Sequence, residues 1–204
     1  MSDEAATFLE PGACVLRGIF AAEIGATDGC AVVIGAGSMG LLHLLVLRAH
    51  MPNLSVIVID PLEDRCRFAL EIGADAACNP SESPGVVRRM TSGLGADAAF
   101  DTVGGAEVLL SAMNVLRPGG TLVLFAHARE EEPAGFELNP FFKNEMRLVA
   151  TYSGSIDEQD QVARMLFAGR IDPSKLITHR LPLERAPEAV GLARSRQALK
   201  IMIG

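Results

Sequence analysis

Hydrophobic positions along the chain form short, nearly unbroken runs that alternate with longer stretches of helical periodicity. Strands that are buried on both faces carry such runs, as in parallel sheets covered by helices. The pattern therefore predicts an α/β fold built on a parallel sheet. The predicted strands are Ala31–Ile34, Val56–Ile59, Ala98–Phe100, Thr121–Phe125, Leu148–Thr151 and Leu199–Ile203.

The stretches beside these runs predict helices. Met39–Ala49 is apolar nearly all round, which indicates a helix buried next to the sheet. Ser155 and Glu158 have the spacing of a capping box and predict a helix start. The predicted helices are Phe8–Ala22, Met39–Ala49, Leu62–Ile72, Ala106–Leu116 and a segment from Ser155 to Ala168.

Composition and charge narrow the class of protein. The chain has 204 residues, of which 49% are hydrophobic and 21% charged, a balance typical of globular domains. Its net charge of −7 gives no basic surface for phosphate backbones, which argues against nucleic-acid binding. No apolar run reaches the ~18 residues of a membrane span. The scattered cysteines, Cys14, Cys30, Cys66 and Cys78, are interpreted as reduced thiols of a cytoplasmic protein.

Residues 35–40 read Gly-Ala-Gly-Ser-Met-Gly and lie between a predicted strand and a predicted helix. In this context a G-x-G-x-x-G segment binds the pyrophosphate of a dinucleotide. We expect Gly35 to make the tight turn, Gly37 to admit the phosphates and Gly40 to let the helix pack closely. The amides near Ser38 and Met39 would face the phosphates at the positive end of the helix dipole. A glycine-rich turn without a ligand is the alternative.

Asp60 closes the second predicted strand, twenty residues beyond Gly40. An acid at this spacing accepts hydrogen bonds from the ribose diol of an adenosine, and its charge repels a 2′-phosphate. Such a repulsion, about 4 kcal/mol at ~4 Å and an effective dielectric of ~20, exceeds the ~1.4 kcal/mol of a tenfold preference. The sequence thus predicts NAD as the cofactor rather than NADP. The alternative is that Asp60 only caps the helix that starts near Leu62.

The strand pattern and the glycine motif together predict a doubly wound Rossmann fold. Its expected parts are a six-stranded parallel sheet, flanking helices and a C-terminal remainder of helix and strand. Residues 1–28 are predicted as a leading helical segment, residues 29–154 as the dinucleotide-binding domain and residues 155–204 as a C-terminal segment. This fold alone does not name a reaction, because it hosts many chemistries.

Four further segments stand in a fixed order along the chain. They are Leu9-Glu10-Pro11-Gly12-Ala13-Cys14, Phe100-Asp101-Thr102-Val103-Gly104, Leu116-Arg117-Pro118-Gly119-Gly120-Thr121 and Ile177-Thr178-His179-Arg180-Leu181-Pro182-Leu183. With the glycine motif, Asp60 and Arg65, they resemble the medium-chain dehydrogenase/reductase family, specifically its zinc-dependent alcohol, sorbitol and threonine dehydrogenases. The resemblance covers nearly the whole chain, and it implies an oxidoreductase.

The resemblance implies contacts between individual residues and the cofactor. The implied contacts are Arg65, Val103 and Gly104 at the adenosine, Lys200 at the pyrophosphate, and Phe125, Ala126, His127, Thr151 and Tyr152 at the nicotinamide. For Arg65 the alternative is a surface arginine on a helix. His43 lies on the apolar helix and is interpreted as a packing or surface histidine.

Glu10 corresponds to a ligand, or near-ligand, of the family's catalytic zinc. The family's other ligands, a cysteine in a Gly-x-Cys-Gly stretch and a His-Glu pair, have no counterpart in this sequence. One carboxylate does not make a zinc site, so no metal-binding residue is predicted. Glu10 is then a relic, a part of a site shared with another chain, or a helix-start acid favoured by the dipole. The resemblance also implies that residues 155–204 pack on a catalytic domain.

Three functions stay open. The first is the cofactor-binding domain of a zinc-type dehydrogenase, which transfers hydride between a small secondary alcohol or polyol and NAD when joined to a catalytic domain. The second is a non-catalytic NAD-binding module or pseudoenzyme subunit. The third is a methyltransferase that uses S-adenosylmethionine, against which stands the spacing of the glycine motif. The strand Leu148–Thr151 is expected at the sheet edge, where the resemblance implies pairing into a homodimer.

Overall fold

The computed structural model describes residues 1–25, 29–127, 131–133, 135–195 and 197–204. The boundary predicted at residue 28 lies outside these ranges. Within them the strands are β1 Cys30–Ile34, β2 Ser55–Ile59, β3 Ala76–Cys78, β4 Ala96–Asp101, β5 Leu116–Leu124, β6 Arg147–Ala150, β7 Ile177–Leu181 and β8 Lys200–Ile203. In the same ranges the helices are α1 Asp3–Ala6, α2 Leu9–Ala22, α3 Ser38–His50, α4 Glu63–Glu71, α5 Ser83–Met90, α6 Ala106–Met113, α7 Leu138–Lys143, α8 Ile156–Phe167 and α9 Ala186–Arg194. None of these described helices is long and apolar enough to cross a bilayer.

A parallel sheet of six strands forms the centre of the molecule, in the order β3-β2-β1-β4-β5-β6. The order reverses between β1 and β4, as in doubly wound folds. Ile34 at the end of β1 is in register with Ile59 of β2 and with Asp101 of β4. The carboxyl ends of these three strands therefore reach the same level at one edge. The predicted edge position of the strand near residues 148–151 is confirmed, because β6 is the last strand of the sheet.

Both faces of the sheet are buried, and β1 shows how its side chains divide between them. Val33 packs in one core with α2, α3 and α8, whereas Val32 packs in the other with α5 and α6. All five residues of β1 are buried. Alternate residues of one strand thus enter two different cores, which explains why its apolar run is unbroken.

Helices α2 and α8 approach each other at a glycine. A Cβ atom added to Gly12 would lie 2.8 Å from Cγ1 of Val162, closer than carbon atoms normally come. The capping box predicted at the start of α8 is confirmed, with the Ser155 amide donating to the Glu158 carboxylate at 2.6 Å. The helix ends before Gly169, whose φ of +65° turns the chain away.

The last part of the chain forms a second, smaller sheet. Strands β7 and β8 pair with each other in parallel and stay separate from the main sheet. Arg180 of β7 bonds Glu4 of α1, with 2.5 Å between Nε and Oε1. Lys200 of β8 has its ammonium nitrogen 5.2 Å from the centre of the Phe8 ring. The C-terminal segment therefore packs next to the start of the chain.

Two strands had no predicted counterpart, for local reasons. Ala76–Cys78 completes the main sheet beside β2, but its three residues carry no recognisable strand pattern. In Ile177–Leu181 the first and last residues are buried, while the polar residues between them are at least partly exposed, which weakens the apolar signal.

One predicted helix is too long. The helix expected over Ala106–Leu116 ends at Met113, because Leu116 already pairs with Ala96 as the first residue of β5. The register of β5 then shifts over the next few residues, so that Thr121 pairs with Ala98. An apolar residue that follows a helix can thus belong to the next strand.

Candidate nucleotide-binding site

The candidate site lies at the carboxyl edge of the main sheet, where the strand order reverses. Gly35, Asp60 and Thr102 follow directly after β1, β2 and β4. Ligands of doubly wound sheets bind in the crevice at such a reversal. The fold therefore brings the predicted glycine motif and the predicted acid together at the expected place.

The glycines of the motif differ in their surroundings. Gly35 has a φ of +97°, and its amide donates to the Ile59 carbonyl at 2.7 Å. A Cβ atom added to Gly40 would lie 1.8 Å from the Gly35 carbonyl oxygen. The tight turn and the close helix packing expected of these two glycines are therefore present. At Gly37 the nearest described atom to an added Cβ is Nη1 of Arg65, 3.7 Å away, so a methyl group there would only touch the flexible end of that side chain.

Helix α3 starts at Ser38 and has Gly37 as its extended N-cap residue. The first amides of a helix have no carbonyl partner within the helix, and the dipole adds partial positive charge there. Ser38 and Met39 are half-buried in this turn, which contains no acidic residue. The helix start thus suits an anionic group such as a pyrophosphate.

Asp60 is 6% exposed, and both of its carboxylate oxygens accept hydrogen bonds from the backbone. Oδ2 accepts from the Ala36 amide at 2.7 Å, and Oδ1 accepts from the Leu62 amide at 2.9 Å. The acid therefore links the glycine loop to the turn before α4, but it does not cap the helix itself. Each oxygen has a second lone pair with which it can accept a further hydrogen bond.

Arg65 lies on α4 and is half-buried. Its guanidinium group is near Gly37, as described above. It also lines a groove of about 720 Å³ between α4 and the β7–β8 sheet, together with Lys175 and Thr178. The arginine thus lies between the glycine loop and this groove.

Asp101 organises the loop after β4, a role that the sequence reasoning missed. Its buried carboxylate accepts hydrogen bonds from the amides of Val103 at 3.0 Å and Gly104 at 2.8 Å. Its carbonyl oxygen accepts from the amides of Phe125 and Ala126 at 3.1 and 3.0 Å. The amides of these four candidate cofactor contacts are therefore held by one residue. An acid at the end of an apolar strand was the available signal.

An apolar slot of about 260 Å³ opens near the glycine loop. Ile34 and Ile59, the last residues of β1 and β2, line it together with residues of α6 and the residue two positions after β3. Its size is below the roughly 300–1,000 Å³ of whole ligand pockets and suits one part of a dinucleotide. The lining residues are Ile34, Ile59, Pro80, Glu107, Val108 and Ser111.

The segments after β5 and β6 meet at the same edge of the sheet. The rings of His127 and Tyr152 are 5.6 Å apart, edge to face. Both side chains are exposed, Tyr152 to 85%. Beside them, the hydroxyl of Thr151 is buried and has no hydrogen-bond partner in the described part of the chain. The residues predicted for the nicotinamide end are therefore neighbours in the structure.

His43 connects this end of the site with the glycine loop. The ring is fully buried on α3 and lies edge-on to Phe125, with 4.5 Å between centroids. Its Nδ1 is 2.8 Å from the Met39 carbonyl oxygen, to which the neutral ring donates. Burial lowers the pKa of His43 to about 4. The residue is therefore neutral at physiological pH, and of the two alternatives it is a packing histidine rather than a surface one.

The residues present do not fit a catalytic zinc ion. Glu10 is exposed in the first turn of α2, and its carboxylate accepts a hydrogen bond from the Cys14 thiol at 3.1 Å. A zinc site needs at least three protein ligands. No group of three or more His, Cys, Asp or Glu side chains in the described ranges is placed to bind a metal. No chemical step is therefore assigned to a metal here.

The sequence of the chain is similar to those of known dehydrogenases and reductases. Residues 38–168 match the family described as zinc-binding dehydrogenase. The chain is 27% identical to D-arabinose 1-dehydrogenase (NADP(+)) of Saccharolobus solfataricus, over 70% of this chain and 40% of that protein. It is 29% identical to a probable D-xylulose reductase A of Emericella nidulans, over 84% of this chain and 49% of that protein.

Among solved structures, an alcohol dehydrogenase from Thermus sp. ATN1 matches with a TM-score of 0.90 at 27% identity. The match covers 100% of this chain and 58% of that one. The chain spans about half the length of the curated relatives it matches. These matches give no support to the methyltransferase alternative.

Proposed function

Because the chain belongs to the zinc-binding dehydrogenase family, we propose that it binds NAD and serves as the cofactor-binding part of an alcohol or polyol dehydrogenase. The glycine loop carries this proposal. Gly35 and Gly40 pack tightly against each other, whereas an added Cβ at Gly37 would make only one ordinary contact, with the end of the Arg65 side chain. Neither packing nor backbone conformation requires a glycine at this position, where a phosphate approaches in dinucleotide-binding folds.

Each part of the cofactor has a matching feature at the edge of the sheet. The pyrophosphate is assigned to the amides of Ser38 and Met39 at the start of α3. The ribose of the adenosine is assigned to the remaining lone pairs of Asp60, with Arg65 beside it. The adenine ring is assigned to the apolar slot, because Ile59 lines this slot and directly precedes Asp60 in the sequence.

The nicotinamide end is assigned to the main chain of residues 125–127 and 151–152. The cofactor supplies a hydride acceptor when it is bound. The chain itself orients the ring, because Asp101 holds the amides of Phe125 and Ala126 and leaves their carbonyl oxygens for a carboxamide. Lys200 is proposed to reach the pyrophosphate, for which its side chain must turn away from the Phe8 ring.

NAD is preferred over NADP in this proposal because of the charge on Asp60. The carboxylate is buried and fixed by two amides, so it cannot turn away from a 2′-phosphate. One like-charge contact of ~4 Å costs about 4 kcal/mol at an effective dielectric of ~20. Even a quarter of that repulsion would give a preference of about fivefold.

Calorimetric titration of the purified chain with NADH and NADPH tests the proposal. We expect NADH to bind with a micromolar dissociation constant and NADPH to bind at least fivefold more weakly. Failure of both nucleotides to bind would refute the proposed function. Equal binding of the two would refute the role of Asp60 and leave the rest of the site intact.

The substrate and the missing ligands belong to a catalytic domain in this proposal, supplied by another part of the protein or by another chain. Residues 155–204 are the proposed contact segment. Near the start of this segment three large apolar side chains are exposed to solvent: Tyr152 to 85%, Ile156 to 82% and Phe167 to 69%. A small secondary alcohol or polyol is the proposed substrate, because the relatives include a probable D-xylulose reductase. We assign the protein to the cytoplasm, since all four cysteines are free.

A non-catalytic NAD-binding module is the second candidate function. It uses the same cofactor site and differs from the first candidate only in the absence of turnover. Oxidation of sorbitol or xylitol with NAD, measured with and without an added catalytic domain of a relative, separates the two functions. Turnover that appears only with the added domain supports the dehydrogenase, and tight NADH binding without any turnover supports the module.

A homodimer is proposed through the free edge of β6. The Thr151 amide donates inward to the Leu124 carbonyl at 3.3 Å, so by alternation the Ala150 amide points outward. An unpaired edge of this kind pairs with another chain. Light scattering should give a dimer for the wild type and a monomer for Ala150→Pro, which lacks the outward donor. A variant that remains dimeric while it still binds NADH would refute this interface.

A further inference from the structure

The slot assigned to adenine has two polar side chains among its six lining residues. Glu107 and Ser111 are four residues apart on α6, so they lie one above the other on the same side of the helix. The remaining lining residues are isoleucine, proline and valine. Both residues are exposed, so their side chains stand at the open rim of the slot. Polar groups at an otherwise apolar pocket fix the orientation and the identity of a ligand.

The two side chains offer different hydrogen-bonding groups. A glutamate carboxylate only accepts, whereas a serine hydroxyl can donate. Adenine presents the complementary pair on its edge, since its exocyclic amino group donates and the adjacent ring nitrogen accepts. Guanine carries a carbonyl oxygen in place of this amino group, as does hypoxanthine, and this oxygen would face the carboxylate.

We propose that Glu107 accepts a hydrogen bond from the adenine amino group while Ser111 donates to the neighbouring ring nitrogen. This pair of residues then selects adenine among the purine bases of a dinucleotide. The inference rests on the proposed function, because it requires a dinucleotide whose base occupies the slot.

A purely structural role for Glu107 is the competing explanation. The residue lies in the first turn of α6, where an acidic side chain stabilises a helix. However, the first amide of this helix, that of Ala106, already donates to the Glu132 carboxylate at 2.9 Å. A second acid is therefore not required to satisfy that amide. A helix-stabilising role would also be indifferent to the base of the cofactor.

The test compares NADH with reduced nicotinamide hypoxanthine dinucleotide, which differs only in the base. Calorimetric titrations are made on the 204-residue chain and on Glu107→Gln, Ser111→Ala and Glu184→Gln. The last variant is the matched control, because Glu184 is exposed, lies in the short 3-10 turn Leu183–Arg185 and does not line the slot.

We expect the wild type and Glu184→Gln to prefer NADH by about tenfold or more. Glu107→Gln should lower that preference to about twofold, because a glutamine amide can accept from the amino group or donate to a carbonyl oxygen. Ser111→Ala should weaken NADH binding about threefold. Thermal unfolding of each variant shows whether it is folded during the titration.

Each outcome has one meaning. No NADH binding by the folded wild type would refute the proposed function itself. Binding of NADH with no base preference, or an unchanged preference in folded Glu107→Gln, would overturn the inference and leave the proposed function standing. If Glu107→Gln fails to fold, an unchanged NADH affinity in Ser111→Ala overturns the inference, and a weakened affinity supports it.

Discussion

The contrast between Gly37 and Gly40 gives the most decisive prediction. The two glycines belong to one motif, yet an alanine methyl group would meet different surroundings at each. At Gly40 it would lie 1.8 Å from the carbonyl oxygen of Gly35, and at Gly37 it would lie 3.7 Å from the end of the flexible Arg65 side chain. Gly40→Ala should therefore damage the fold, whereas Gly37→Ala should damage only ligand binding.

The size of each effect follows from the geometry. Real Cβ atoms stay at least 3.0 Å from such neighbours, so Gly40→Ala must open a gap of 1.2 Å between helix and loop backbone. Overpacking of a core costs about 1–3 kcal/mol, and a rigid backbone contact puts this variant at the upper end. Gly37 has φ −75° and ψ −177°, which alanine adopts without strain. Its replacement should change stability by less than about 1 kcal/mol, because the lower entropy of the unfolded chain and the loss of a favoured N-cap residue oppose each other.

Urea unfolding and calorimetric titration with NADH measure the two effects separately. We expect Gly40→Ala to lose about 3 kcal/mol of unfolding free energy. Gly37→Ala should unfold like the wild type and bind NADH at least tenfold more weakly, because its methyl group occupies the path of the pyrophosphate. Wild-type NADH affinity in Gly37→Ala would refute the assignment of the phosphate site. Wild-type stability in Gly40→Ala would refute the close packing of α3 on the loop.

Three further predictions concern residues around this site and the helix packing. Asp60→Asn leaves one of two buried amides without an acceptor, so urea unfolding should show that the free energy of unfolding falls by about 1.5–3 kcal/mol. Calorimetric titrations of this variant should show a smaller preference for NADH over NADPH. The folded chain resists protonation of His43, whose pKa lies at about 4, while the unfolded chain binds that proton below about pH 6.5. The free energy of unfolding should thus fall by roughly 3 kcal/mol as the pH drops through this window. Urea unfolding at pH 7 and at pH 4.5 measures the fall, and His43→Leu should remove the part of it that His43 causes. Gly12→Ala should lower the melting temperature, because its methyl group would meet Val162. Val162→Ala relieves this contact, so the double variant should be about 1 kcal/mol more stable than the sum of the two single changes in unfolding free energy. Additive changes would contradict this prediction.

The sheet and the glycine loop could be predicted because their signals are strong and local. The central strands carry unbroken apolar runs, and the motif glycines stand between a strand and a helix. Strand β3 could not be predicted, because Ala76–Cys78 is stabilised by its pairing with β2 rather than by its own residues. The end of α6 was misplaced for the same reason, since the pairing of Leu116 with Ala96 decides between helix and strand.

The candidate site was only partly accessible from the sequence. Gly35, Gly40 and Asp60 could be placed from spacing alone. The roles of Asp101 could not, because a carboxylate that holds the amides of Val103 and Gly104 shows itself only in three dimensions. The slot was also missed, since it joins residues of three strand ends and a helix that are far apart along the chain.

The packing of α2 against α8 has a consequence for how the chain matures on the ribosome. Helix α2 carries the surface against which Val162 of α8 packs, but α8 is synthesised only after all six strands of the main sheet. At roughly 5–20 residues per second, that interval is on the order of ten seconds. During this interval the surface of α2 around Gly12 lacks its partner helix α8. The nascent chain therefore cannot complete its core in the order in which it is translated.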